Sequence, residues 1–252
     1  MAAGPSGRGV RTGMRAIIIG AGRGRRLMPS TADTPKCMAR VRDRSILEWI
    51  LAALAANGIT SISFVGGYLI DRIRAAFPEF RVHHNSGWEH NNILASLMCA
   101  EPDMDEPFLS CYSDTLFAPE AVARILRSGA DISLLVDTDW LARYRHRTHH
   151  PPEDAEKITA LNGVITRVHR DIDPALAHGE FTGMAMFSKE GARLLRAHYR
   201  SSEAGRDPKA YLIQLFQEMI ENQVRLVHAD TPGGYMEVDT QQDFELAQRD
   251  WS

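Results

Sequence analysis

The sequence predicts an α/β fold, a Rossmann-like mixed and mainly parallel sheet flanked by helices. Three observations carry this reading. Ala16-Ile17-Ile18-Ile19 is a short, wholly apolar run of the kind that forms a strand buried on both faces. A helical pattern from Ser45 and a second apolar strand at 61–65 follow, and strand, helix, strand forms a right-handed crossover between parallel neighbours. Short strands and amphipathic helices then alternate along the rest of the 252-residue chain.

The first strand runs into Gly20-Ala21-Gly22-Arg23-Gly24-Arg25-Arg26-Leu27, then Pro29 and Thr34-Pro35-Lys36. Three glycines in five residues let the backbone turn tightly, and backbone amides in such a turn form a concavity for anions. Arg23, Arg25, Arg26 and Lys36 surround it with cations, so the loop reads as a polyphosphate site. It is not a dinucleotide fingerprint, because Arg25 stands where the third glycine belongs, and it lacks the Gly-Lys-Ser/Thr ending of the ATPase loop. Pro29 and Pro35 keep the segment extended. Arg26 and Lys36, ten positions apart, suit a nucleoside triphosphate lying across the loop. The segment resembles the nucleotidyltransferase signature A-G-x-G-x-R-[LM]-x-P-x-T-x-x-x-P-K, carried by Ala21, Gly22, Gly24, Arg26, Leu27, Pro29, Thr31, Pro35 and Lys36.

Composition narrows the partners. The chain is 44% hydrophobic and 24% charged, with a net charge of −3 and a pI of about 6.4, which argues against a broad nucleic-acid surface. No apolar run approaches the ~20 residues that span a bilayer, so no membrane partner is expected. Residues 1–13 are small, polar and basic and read as a disordered leader, with Met14 as an alternative start. Residues 14–252 read as a single domain, with a nucleotide-binding part at about 14–137 and an acceptor-binding part at about 138–235. Cys37, Cys99 and Cys111 are odd in number, lack metal-type spacing and fit a cytoplasmic setting. Cys37 reads as a small side chain under the loop. A homodimer is compatible with this composition.

Taken in order, Ser45 and Glu48 form a capping box for a helix with Ile46, Leu47, Ile50, Leu51 and Leu54 on its apolar face, closed by Asn57-Gly58. The strand at 61–65 ends in Gly66-Gly67-Tyr68. Ligands of such sheets sit at the carboxyl ends of the strands, so Gly66 and Tyr68 are candidates beside the first loop; a tight turn into a helix at 69–77 is the equal alternative. A strand at 81–84 leads to a polar stretch, Asn85 to Asn92, whose amide and indole groups suit a pyrimidine and ribose; Asn91-Asn92 also suits a helix cap. The strand at 107–112 ends in Ser113-Asp114, which places a carboxylate at the edge of the first loop, where it suits Mg²⁺. A strand at 131–136 precedes Trp140 and Tyr144, aromatic faces suited to a quaternary ammonium. Arg143, Arg145, His146, Arg147, His149 and His150 crowd the same segment and favour an anionic acceptor, although Arg143, Arg145 and the histidines read first as a solvated basic loop. Asn162-Gly163 reads as a hairpin turn. Glu180, before a strand at 181–187, suits an acceptor's ammonium or an arginine, or is a plain strand-edge charge. Helices are expected at 189–199 and 210–221, the second with Tyr211, Leu212, Leu215, Phe216 and Met219 as its core stripe. A last strand at 224–229 precedes Glu237 and Asp239, which alternate onto one face, and the capping box of Thr240 and Asp243.

Four stretches extend the resemblance. They are N-N-I-x-x-S-L from Asn91, D-x-x-W-x-x-x-Y-x-x-R from Asp137 to Arg147, A-E-K-[IV] from Ala155, and Gly-Glu-Phe-x-Gly from Gly179. They are similar to the phosphocholine and phosphonate cytidylyltransferases within the MobA-like nucleotidyltransferase superfamily. Two positions depart from the family pattern: Ser113 replaces a usual glycine, and Tyr235 or Met236 a frequent tryptophan. The resemblance implies that an acceptor phosphate or phosphonate oxygen attacks the α-phosphorus of CTP in line and pyrophosphate leaves. It implies Asp114 and Asp239 as the Mg²⁺ carboxylates and Arg26, Lys36 and Lys157 as the catalytic cations. Ala21, Gly22, Gly24, Gly66, Tyr68, Asn85, Asn92 and Ser113 are then the nucleotide contacts, and Trp140, Tyr144, Arg147 and Glu180 the acceptor contacts. An anionic phosphonate is favoured as acceptor, with phosphocholine and 2-aminoethylphosphonate as alternatives. The rival readings are a sugar-1-phosphate or molybdopterin nucleotidyltransferase using another base, and a nucleotide-binding regulator without chemistry.

Overall fold

The apolar run that opens the chain becomes the centre of a nine-stranded sheet. In the computed structural model, which describes residues 13–27, 31–145, 147–149 and 151–251, this strand is β1 (Arg15–Gly20). Most of the expected leader, together with Pro29, His146 and His150, lies outside the described residues. After the first loop comes a ribbon of β2 (Arg40–Val41) and β3 (Arg44–Ser45), then α1 (Ile46–Ala55). The Ser45/Glu48 box forms, each backbone amide bonded to the other side chain at 2.6 and 3.1 Å. β4 (Ser61–Gly66), α2 (Ile70–Ala76), β5 (Arg81–His84) and α3 (Ile93–Met98) follow. β6 (Phe108–Tyr112) then precedes β7 (Thr115–Phe117), α4 (Pro119–Leu126), β8 (Ile132–Asp137) and α5 (Trp140–Tyr144).

The second half holds β9 (Lys157–Leu161), β10 (Val164–Val168) and β11 (Gly179–Phe187), then α6 (Lys189–Ser201), α7 (Glu203–Arg206) and α8 (Leu212–Glu221). It closes with β12 (Val227–Thr231), β13 (Tyr235–Glu237) and α9 (Gln241–Asp250). The β9–β10 turn is the expected Asn-Gly hairpin, with φ of 51° at Asn162 and 78° at Gly163. No helix among the described residues is long and apolar enough to cross a membrane.

Strand order is β5-β4-β1-β6-β11-β8-β12-β10-β9. β5, β4, β1 and β6 run parallel, whereas β11 is antiparallel to both β6 and β8. β9 bonds back onto β11, so the last five strands close into a ring. The parallel expectation thus describes the first half, and the second half is mostly antiparallel. Alternate residues of β1 serve two cores. Ala16 and Ile18 meet Leu47, Ile50 and Leu54 of α1, while Ile17 and Ile19 meet Leu94, Leu97 and Phe216 of α3 and α8. Tyr211, expected in the apolar stripe, instead precedes α8 and is 38% exposed, because the helix starts one residue later.

Two devices matter for the site. β13 pairs with β7 in a separate antiparallel ribbon that sequence periodicity did not announce, both strands being three residues long. β11 carries a bulge between Phe181 and Ala185, where Gly183 has φ +82° and a Cβ would lie 2.4 Å from the Tyr112 ring.

The opposite end of the sheet is pinned by Asp103, whose side chain is fully buried. It accepts from Ser63 Oγ at 2.5 Å and from Arg81, and lies 2.6 Å from His83 Nε2. Burial alone would raise its pKa, but bonds from Ser63, His83 and Arg81 outweigh it and hold the carboxyl below the usual range. Stability from such a group is present above the ordinary carboxylate pKa and is lost as pH falls through the depressed one. Asp103→Asn should therefore cost about 2 kcal/mol at pH 7 by urea unfolding, and the gap from wild type should shrink at pH ~3.

Candidate active site

The carboxyl ends of β1 and β6, the bulge of β11 and the β7/β13 ribbon enclose a cavity of about 660 Å³. At its centre Lys36 Nζ donates to Asp114 Oδ2 and Asp239 Oδ1, both at 2.7 Å, and Arg26 pairs with Asp239. Local sequence explains how three distant residues meet. Gly24, with φ +67°, lies so close to Lys36 that a Cβ would sit 2.9 Å from the lysine's own Cβ, and Thr31 Oγ1 ties the loop down through Gly24 O at 2.9 Å. Ser113 N donates to Ile19 O at 3.0 Å, which extends the β1–β6 pairing to the residue before Asp114. The β7/β13 ribbon then aligns Glu237 with Thr115, and Val238 N donates to Asp114 O at 2.8 Å. The aspartates are thereby adjacent.

Electrostatics follow from this closeness. Burial works against the charge on Lys36, but the Asp114 and Asp239 carboxylates outweigh it and hold its pKa above the ordinary value. Burial, with repulsion from Asp239, pushes the Glu237 carboxyl up to about 8. Burial also pushes the Cys37 thiol up to about 12, so Cys37 is the inert small side chain expected under the loop. Two carboxylates converging on one point are an all-oxygen donor pair of the kind that suits a hard divalent cation.

Ala21, Gly22, Gly24, Arg26, Lys36, Asn92, Ser113, Asp114, Glu180 and Asp239 all line the cavity. Gly66, Tyr68 and Asn85 stand behind it. Tyr68 N donates to Ala21 O at 2.9 Å and its hydroxyl to Ala32 O at 2.7 Å, so this tyrosine supports the loop. Asn85 donates to Asn91 at 2.8 Å and to Ser96 at 2.9 Å, and so orders the segment that presents Asn91 and Asn92.

The 140–157 segment departs most from expectation. Lys157 Nζ donates to the carbonyls of Pro152, Ala155 and Glu153 at 3.0, 3.3 and 3.4 Å and does not line the cavity. Trp140 and Tyr144 form no open aromatic box: both are buried in a small cluster with Ala155, and Tyr144 Oη donates to Glu180 at 2.7 Å. Arg147 is buried, 2.7 Å from Asp243 and 3.3 Å from Glu237, outside the cavity lining. Arg143 is not solvated as expected; it joins Asp137 at 2.9 Å to Glu180 and packs 4.4 Å from the centre of the Tyr235 ring. Arg145 and His149 are exposed, as expected.

Part of the cavity wall is built from residues that sequence reasoning did not select. Tyr112, Asp154, Glu156 and Arg170 line it beside Glu180, Glu237 and Tyr211. Arg170 bonds Glu156 at 3.1 Å and stacks 4.1 Å from the centre of the Tyr211 ring. Burial raises the Glu156 pKa and the Arg170 charge opposes it. Glu156 adjoins Lys157 in the A-E-K stretch, and Tyr112 ends the strand before Ser113-Asp114, so both carried a positional signal. Arg170 carried none.

Because Asp137 and Glu180 are buried, Arg143→Gln leaves them without their cation and should cost about 3–5 kcal/mol in urea unfolding, where a solvated arginine would cost under ~0.5.

Known proteins share this architecture. A family model for the MobA-like NTP transferase domain matches residues 16–163. The CTP:phosphoglutamine cytidylyltransferase of Campylobacter jejuni is 27% identical over 251 residues, covering 92% of this chain and 98% of the relative. The choline-phosphate cytidylyltransferase of Streptococcus pneumoniae is 31% identical over 91 residues, 35% of this chain and 40% of the relative. Among solved structures, the inositol-1-phosphate CTP transferase of T. maritima has the same fold, with a TM-score of 0.75 at 23% identity, covering 93% of this chain and 95% of that one.

Proposed function

Because this chain belongs to the MobA-like NTP transferase family, we propose that it transfers CMP from CTP to the phosphate or phosphonate of a small, amine-bearing acceptor and releases pyrophosphate. The observation that carries the reading is the convergence of Lys36, Asp114 and Asp239 beside the glycine loop. The acceptor oxygen is already anionic at neutral pH, so no covalent nucleophile is needed and catalysis reduces to positioning and charge neutralisation. Loop amides at Ala21, Gly22 and Gly24 cradle the triphosphate. Lys36, held protonated by its carboxylate neighbours, and Arg26 offset charge building on the phosphates. Asp114 and Asp239 would hold Mg²⁺, which when bound neutralises phosphate charge and orients the reacting groups. Ser113 and Asn92 flank the nucleotide side.

The acceptor class is inferred from the acidic groups in the cavity wall. Asp154, Glu156, Glu180 and Glu237 line the cavity; Arg170 offsets Glu156, Arg143 offsets one charge of the Glu180–Asp137 pair, and Glu237, held up to about 8, is mostly neutral at pH 7, which leaves a modest net negative charge that favours a cation. The arginines that argued for an anionic phosphonate, Arg143 and Arg147, are instead committed to Asp137, Glu180, Asp243 and Glu237. Glu180, which also holds Arg143 and Tyr144, would meet an acceptor ammonium, and Arg170 a carboxylate where the acceptor carries one. Relatives named for phosphoglutamine, choline phosphate and 2-aminoethylphosphonate also take nitrogen-bearing acceptors.

Pyrophosphate release with Mg²⁺ tests the reading, with CTP, UTP, GTP and ATP crossed against phosphocholine, 2-aminoethylphosphonate, phosphoamino acids and phosphonoacetate. The expected result is turnover with CTP and an amine-bearing acceptor, abolished by EDTA. Turnover only with phosphonoacetate would overturn the charge argument, and turnover of UTP with a sugar 1-phosphate would overturn the base. Asp114→Asn and Asp239→Asn should each lower kcat/KM by at least ~10²-fold with circular dichroism unchanged, and Lys36→Ala should do so with a lowered thermal midpoint as well. Near-normal rates in the two aspartate variants would remove them from the chemistry.

A further inference from the structure

We propose that His178, His228 and Asp230 form a second metal site, outside the active-site cavity, for a borderline divalent ion of the zinc class. The three side chains offer two imidazole nitrogens and a carboxylate oxygen, all within 4.8 Å of one another. His178 Nε2 lies 2.9 Å and His228 Nδ1 2.7 Å from the same oxygen, Asp230 Oδ1, and the two rings are 4.3 Å apart between centres. None of the three lines the catalytic cavity.

The backbone holds the set in place. β12 pairs with β8 through five consecutive residues, and strand alternation sends Ala229 into the core while His228 and Asp230 share the other face. His178 N donates to Ile158 O at 2.8 Å, which fixes the approach from β9. The next residue, Gly179, packs against the end of β8 so closely that a Cβ would lie 2.5 Å from Val136 Cγ1 and 2.6 Å from Asp137 O. This close approach, with the β11 pairings to β8 and β9, brings the chain entering β11 to where His178 reaches β12. The side chains of His178, His228 and Asp230 are 32%, 13% and 39% exposed, so solvent can complete the coordination shell.

Ligand chemistry selects the ion. Mg²⁺ prefers oxygen donors, whereas two imidazoles and a carboxylate suit Zn²⁺ and its Irving–Williams neighbours. In the bound state each imidazole presents the lone pair of the nitrogen that faces Asp230 and carries its N–H on the other ring nitrogen, and the aspartate binds as a carboxylate. Donor atoms now in hydrogen-bond contact then spread around an ion at roughly 2.0–2.2 Å from each. The ion would tie the start of β11 to β12.

Untagged protein freed of metal by chelator dialysis is titrated with Zn²⁺ against a chromophoric competitor in excess Mg²⁺. Wild type should take up one tight equivalent, Co²⁺ should give a visible d–d band, and Zn²⁺ should raise the thermal midpoint. His228→Ala and Asp230→Asn should weaken binding by at least ~10-fold and lose the band, and His178→Gln provides a third variant on a different segment. Asp114→Asn should retain the tight equivalent. Absence of a stoichiometric equivalent in wild type, equal binding by wild type and the three variants, or its loss in Asp114→Asn would overturn the proposal.

Discussion

The structure depends on one buried ammonium between two carboxylates. Lys36 meets Asp114 and Asp239 across sequence separations of 78 and 203 residues, and each partner arrives on a different element. Two aspartates this close repel one another and are costly to bury without compensation. The lysine offsets that repulsion, and its own desolvation is offset in turn by both carboxylates. The glycine loop, the 3₁₀ turn that starts at Lys36, the β6–β7 turn and the β7/β13 ribbon can all be understood as the backbone needed to bring these three groups to one point.

Around that point the cavity is electrically divided. Cations dominate the loop side, where Arg25, Arg26 and Lys36 surround the glycine loop, and carboxylates dominate the side formed by β11 and the segments beside it. The division is maintained from behind. Arg143 neutralises Asp137 and part of Glu180, and Arg147 neutralises Asp243 and approaches Glu237. These arginines hold the acidic wall together without presenting charge to the cavity.

Much of this was legible in the sequence, and the exceptions have physical causes. The buried strand, the glycine loop and both capping boxes are local signals that need only neighbours a few residues away. Asp114 was legible because it follows a strand whose end the sheet topology locates; Asp239 became legible through family resemblance. The β7/β13 ribbon was not, because three residues cannot establish a period. The fate of the 140–157 segment was not, because sequence displays a charge without its partner: Arg143 looks solvated until Glu180 is folded beside it, and Lys157 looks catalytic until its ammonium is seen capped by carbonyls. Tyr211 continued a helical stripe by spacing alone, yet stands ahead of the first turn, where the same spacing has no face to define.

The β7/β13 ribbon also sets when the protein becomes competent. One strand lies in the first half of the chain and the other delivers Asp239, 203 residues after Lys36. During synthesis the glycine loop and the four parallel strands, all within residues 15–112, emerge before β13 does. Until β13 leaves the ribosome and zips onto β7, Lys36 has only Asp114 of its two carboxylate partners. Completion of this centre thus waits for the end of the chain, and a partly synthesised chain can carry the glycine loop and Lys36 without the second carboxylate.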